Sequence, residues 1–142
     1  MKRKICLLSL LLIGIFALNT FQNGVFANDL QDEGPRFEFK AEDNRLELDT
    51  MYIDEVKTVN LEIEFENKGS EPLILSKVSG CCGTRIDNYP KEPVKPGEMG
   101  VIEISFRLIP RPHNINRTVT VLSNDSEGRD ILRIRGKVAE KN

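Results

Sequence analysis

Residues 59–66 read Val59-Asn60-Leu61-Glu62-Ile63-Glu64-Phe65-Glu66, with an apolar residue at every second position and a polar one between. Side chains alternate across a β-strand with a period of two. Val59, Leu61, Ile63 and Phe65 therefore share one face, and the three glutamates share the other. On a helix the same apolar residues would be spread around the circumference and could bury no single face. The segment is a strand with its apolar side on a core and its acidic side in water.

The same period recurs on both sides of it. Upstream, Phe37 and Phe39 alternate with Glu38 and Lys40, and Leu46 and Leu48 with Glu47 and Asp49. Asn67-Lys68-Gly69 breaks the run as a turn, and Pro72 opens a second apolar stretch from Leu73 to Val78. Gly80 to Tyr89 reads as irregular, and Pro93, Pro96 and Gly97 mark a connection. Ile102, Ile104, Phe106 and Leu108 then alternate with charged or polar residues until Pro110 and Pro112 end the strand. Val119 and Val121 follow, then the turn-rich Ser123-Asn124-Asp125-Ser126, then Leu132, Ile134 and Val138 with Gly136 on the inward phase. About seven short strands with turn residues between them, and no long amphipathic helix, predict an all-β antiparallel sandwich over residues 37–139. A βαβ arrangement is excluded because its helices are missing.

The amino terminus belongs to a different logic. Met1-Lys2-Arg3-Lys4 is positively charged, and an apolar run of 14 residues, Ile5 to Leu18, follows it. That is short of the roughly 20 residues a membrane-spanning helix needs. With Val25-Phe26-Ala27 as a cleavage site, residues 1–27 read as a signal peptide and residues 28–36 as a flexible lead-in ending in Gly34-Pro35. The expected protein is exported, periplasmic or secreted, without a stable membrane anchor. Cleavage removes Lys2, Arg3 and Lys4 but no acid, so the formal net charge of −2 becomes more negative. That disfavours nucleic acid as a partner. A single His in the whole chain excludes multi-His metal sites and most His-based catalysis.

Five segments, taken in order, resemble an exported bacterial family, that of domain of unknown function 1573. They are Phe37-Glu38-Phe39, the run Phe65-Glu66-Asn67-Lys68-Gly69-Ser70-Glu71-Pro72-Leu73, the run from Tyr89 to Glu98, the run from Arg117 to Asn124, and Leu132 to Gly136. The resemblance implies an immunoglobulin-like sandwich of the major sperm protein type and implies no established activity. Members of that family commonly carry Cys-Gly-Cys-Thr between the middle strands. Here the order is Gly80-Cys81-Cys82-Gly83-Thr84, with the second Cys and the Gly exchanged.

Cys81-Cys82 is the chemically loaded feature, and three readings compete for it. A disulfide between neighbours would hold the Cα atoms near 3.8 Å, below the usual range of about 4.4–6.8 Å, and would be strained and easily reduced. Two thiolates would suit a soft metal such as copper, but are too few for a closed zinc site. Alternatively, one Cys fills a gap in the core and the other lies at the loop surface. Both are expected to be reduced. His113, in Arg111-Pro112-His113-Asn114, reads as an exposed loop residue with no second group beside it. Asn116-Arg117-Thr118 and Asn124-Asp125-Ser126 match the glycosylation acceptor pattern, by chance if the chain is bacterial as the resemblance implies. Glu62, Glu64 and Glu66 form an acidic stripe, and Arg133, Arg135 and Lys137 a basic one. The two would pair if their strands were neighbours.

The function expected from this reading is a non-catalytic exported module that binds a protein or an envelope component, with no cofactor and no catalytic residue. The alternative is a small thiol-redox or copper-handling protein using Cys81 and Cys82. For the first reading, the connections Gly80–Gly97 and Pro110–Asn116 are the expected contact surfaces.

Overall fold

A computed structural model describes residues 34–141. The signal peptide expected at 1–27 and all but the end of the lead-in fall outside the described residues. Eight strands follow in order: β1 Phe37–Phe39, β2 Arg45–Tyr52, β3 Thr58–Asn67, β4 Leu75–Gly80, β5 Arg85–Asn88, β6 Met99–Arg107, β7 His113–Ser123 and β8 Arg129–Ala139. They form two four-stranded sheets, one ordered β1-β3-β6-β5 and the other β2-β8-β7-β4. The stretch Val59–Phe65 lies in β3, the interior strand that pairs with β6 from Thr58↔Arg107 to Glu66↔Met99.

The sandwich expected from alternation is present, with two differences. The eighth strand, β5, lies within the Gly80–Tyr89 stretch read as irregular. It is four residues long, and its single apolar residue, Ile86, is too little to display a period. The pairing of β2 with β8 is parallel, while every other named pair is antiparallel. Alternation reports which face a residue occupies and carries no information on strand direction.

The core follows the predicted phase. Phe65 and Phe106 are both buried, whereas Glu64 is exposed. The Phe65 ring stacks on Phe37 at 4.8 Å, and Phe37 meets Phe39 edge-on at 4.7 Å. Opposite Phe65 in the register stands Gly100, where a Cβ would lie 2.3 Å from the ring. The glycine is therefore the space that the phenyl ring occupies. At the other end of the sandwich, Val59, Phe106, Ile115 and Val138 form a second buried cluster.

The alternation of β3 runs one step further than its apolar residues do. Asn67 continues the inward phase and is fully buried. Its amide donates to Glu71 O (2.7 Å) and Val94 O (2.9 Å), while its Oδ1 accepts from Arg36 N (3.2 Å) and Gly69 N (3.0 Å). The turn expected at Asn67-Lys68-Gly69 is thus organised by a core side chain with a full set of partners.

The β7–β8 turn is built the same way. Asp125 accepts from Phe37 N (2.5 Å) of the other sheet and from Glu127 N (3.0 Å) and the Ser126 hydroxyl (3.0 Å). Burial works against its ionisation, but the Phe37, Glu127 and Ser126 donors outweigh it and hold its carboxyl below the ordinary range. Asn124, in one of the glycosylation-like triplets, is occupied as well: it accepts from Ile74 N (2.7 Å) and donates to Pro72 O (3.1 Å).

Asp130 opens β8 on the inward phase, and its Oδ2 is buried without a hydrogen-bond partner. Burial, then the charges of Asp125 and Glu127, push its carboxyl from 3.8 to about 6. The protonated form is therefore the one the fold prefers. Its contribution to stability is present below about pH 4 and lost as pH rises through 6. A displacement of this size is worth at most about 3 kcal/mol, and partial access to water reduces it to about 1 kcal/mol. Asp130→Asn is expected to raise stability by about that amount at pH 7.5 and to leave it unchanged at pH 4, as read by urea melts at the two pH values.

The two charged stripes do not pair, because their strands belong to different sheets. Glu62, Glu64 and Glu66 lie on the outer face of one sheet, where Glu66 is held by Lys40 and by Lys68 (3.0 Å). Arg133, Arg135 and Lys137 lie on the outer face of the other, where Arg135 is in register with Glu47. The sandwich therefore has one acidic and one basic outer face.

Candidate functional site

Strand β4 ends at Gly80, and the chain reverses at once through Cys81-Cys82-Gly83-Thr84. Cys82 (φ +58°) and Gly83 (φ +79°) are both left-handed, and Thr84 N–H donates to Cys81 O (3.0 Å). Positive φ at both central positions is the requirement of a type I′ turn, for which Asn, Asp or Gly is the ordinary first central residue. A cysteine there carries a backbone cost of about 1–2 kcal/mol. A Cβ on Gly80 would stand 2.7 Å from both Thr84 Cβ and Thr84 O, so the turn can close this tightly only over a glycine.

The turn is fastened to β7. Cys81 N–H donates to Thr118 O (3.0 Å), continuing the ladder, but Cys81 O is already engaged by Thr84. The Thr118 N–H goes to Cys81 Sγ instead, at 3.2 Å. A sulfur therefore stands where an antiparallel ladder ordinarily places a carbonyl. Arg117 lies on the inward phase of β7, with its guanidinium 4.3 Å from the centre of the Phe106 ring. It donates to Cys82 O and to Thr84 Oγ1 (3.5 Å), and reaches Arg107 O at 3.4 Å. One cation thus ties the cysteine turn to both sheets.

Both cysteines are free thiols, Cys81 half-buried and Cys82 exposed. Burial opposes ionisation of Cys81. The hydrogen bonds from the Cys82 thiol and from Thr118, with the nearby Arg117 charge, outweigh it and hold Cys81 below the ordinary thiol range. Cys82, which donates to Cys81 and faces its negative charge, is pushed upward.

His113 is the first residue of β7, not a loop residue, and its Nδ1 lies 2.7 Å from Arg111 O. Five residues of strand separate it from Thr118, a span of about 16 Å, so the fold does not bring it to the cysteines. Among the described residues, no group of three or more His, Cys, Asp or Glu is placed to hold a metal ion.

The two connections expected to be open contact surfaces are more ordered than that. Gly80–Gly97 contains β5, and its Val94 exchanges two backbone hydrogen bonds with Leu73 (2.8 and 2.9 Å). From His113 onward, Pro110–Asn116 is already strand. One accessible apolar surface lies at an end of the sandwich, away from the exposed Ile74, Met99 and Val101. There Ile53, Val56, Leu108, Ile109 and Pro110 line a groove of about 470 Å³, with Lys57 and Arg107 at its rim. Ile109 is 47% exposed.

Two four-stranded sheets closed over a shared apolar core, with turns gathered at the ends, define an immunoglobulin-like β-sandwich. The family model for proteins of unknown function DUF1573 matches residues 39–138, and the chain belongs to that family. No curated protein matches the sequence. Among solved structures, a protein of unknown function from Porphyromonas gingivalis W83 is similar with a TM-score of 0.60 at 15% identity, over 75% of this chain and 48% of its own. The secreted serine protease VesC of Vibrio cholerae is similar with a TM-score of 0.56 at 13% identity, over 76% of this chain and 24% of its own. The VesB protease of the same organism gives 0.50 at 10% identity, over 73% and 31%. The chain thus spans less than half the length of each, and at these identities the likeness is one of fold.

Proposed function

We propose that the protein is an exported, non-catalytic binding module whose end groove receives a segment of a partner protein in the cell envelope. The supporting observation is the groove between the β2–β3 and β6–β7 connections, where exposed Ile109 and the neighbouring Ile53, Val56 and Leu108 are flanked by Lys57 and Arg107. Apolar walls with a cationic rim suit a segment that carries aliphatic or aromatic side chains beside an acidic group. Export is supported by the basic start, the short apolar run and the small residues at 25–27.

The test is affinity capture from the native envelope fraction, comparing the unaltered protein with Ile109→Asp. That substitution sets a carboxylate in the groove without entering the core, so the melting curve should not move. A partner retained by the unaltered protein and lost from Ile109→Asp at equal stability is the expected outcome. Identical capture by both forms would show that the groove is not the contact surface.

A further inference from the structure

Cys81 and Cys82 are consecutive in the turn that Thr84 N–H closes onto Cys81 O, one half-buried and one open to solvent. The half-buried sulfur is oriented by the Thr118 N–H at 3.2 Å, and a fixed guanidinium lies against the turn. A cysteine occupies a left-handed position that a glycine would fill without strain. We propose that this turn binds one Cu(I) ion between the two sulfurs.

The donor set decides the metal class. Thiolate ligands select soft cations, and Cu(I) is well served by two of them, whereas a closed zinc site needs four ligands. No third ligand joins the pair among the described residues. Charge supports the same choice. Two thiols bind one Cu(I) and release two protons to water, leaving a bis-thiolate complex with a net charge of −1. The Arg117 guanidinium neutralises that charge without competing as a ligand. The Thr118 N–H, already directed at Cys81 Sγ, acts as an outer-shell donor that fixes the sulfur's orientation. Exposed Cys82 supplies the entry path. His113, at the far end of β7, takes no part.

The test is an anaerobic competition. Reduced protein is titrated with Cu(I) against a chromophoric Cu(I) chelator, and the same is done for Cys82→Ser and Arg117→Gln, each first confirmed as folded by circular dichroism. The unaltered chain should withdraw one Cu(I) per chain. Cys82→Ser should lose at least about 100-fold in affinity, since one of two ligands is gone, and Arg117→Gln about 10-fold. Equal withdrawal by the unaltered protein and Cys82→Ser would overturn the proposal, as would one copper per two chains. Recovery of the native protein with Cys81 and Cys82 joined to each other would overturn it too. None of these outcomes bears on the groove, so the two proposals stand or fall separately.

Discussion

Asn67→Asp should destabilise the protein by about 3 kcal/mol or more at pH 7, through a change of one atom. The side chain is fully buried and makes four hydrogen bonds, two as donor and two as acceptor. Aspartate keeps the acceptor that serves Arg36 N and Gly69 N. It replaces the donor with an oxygen that faces the carbonyls of Glu71 and Val94. The Glu71 carbonyl loses its Asn67 donor, at about 1–3 kcal/mol; the Val94 carbonyl keeps the Leu73 N–H but faces an anionic oxygen, and the carboxylate resists burial besides. Burial also raises the carboxyl's pKa, and its protonated form regains one donor, so part of the loss should return in acid. Urea melts at pH 7 and pH 4.5 check both statements. A loss that does not shrink at the lower pH would mean that the amide's two donated bonds are not what holds the turn.

The second large effect is expected at Phe65. Phe65→Ala removes the ring that Phe37 stacks on and that fills the space above Gly100. The cost should be about 3–5 kcal/mol, the transfer of the side chain plus the cavity left behind. Glu64→Ala, one residue away on the outer face, should change stability by no more than about 0.5 kcal/mol. The contrast tests the register directly, because a slip of one residue would exchange the two faces. Denaturant midpoints of the two variants that coincide would contradict the pairing of Phe65 with Gly100.

These two neighbours also mark how far the sequence can be read. Phe65 and Phe106 lie on the phase that alternation assigns them, because apolar burial drives both the pattern and the fold. Asn67 and Arg117 lie on the same inward phase but do not stand out in the pattern, since each is polar where an apolar side chain marks the core face. Counting the period through Val59 to Asn67, and through Ile115, Arg117, Val119 and Val121, would have placed both. The burial of Asn67 and the inward placement of Arg117 depend on partners that the tertiary structure brings to them, Arg36 and Val94 for the first and Cys82 and Thr84 for the second. The same reason hid the sheet membership of the charged stripes and the parallel course of β2. The cysteine pair was legible as chemistry, but its turn was not. That Cys82 would take a positive φ follows from the reversal between β4 and the adjacent β5, a strand too short to announce itself.

The parallel pairing of β2 with β8 has a consequence for the order in which the chain can become a protein. β8 is the last of the described strands, yet it stands inside its sheet, between β2 and β7. Until residues 133–139 exist, β2 has no strand to bond with and β7 lacks one of its two neighbours. Closing that sheet therefore joins segments from nearly opposite ends of the domain, a contact whose loop entropy must be met before any ladder forms. A chain delivered lengthwise, amino terminus first, would have this sheet held open by its own topology until β8 arrived.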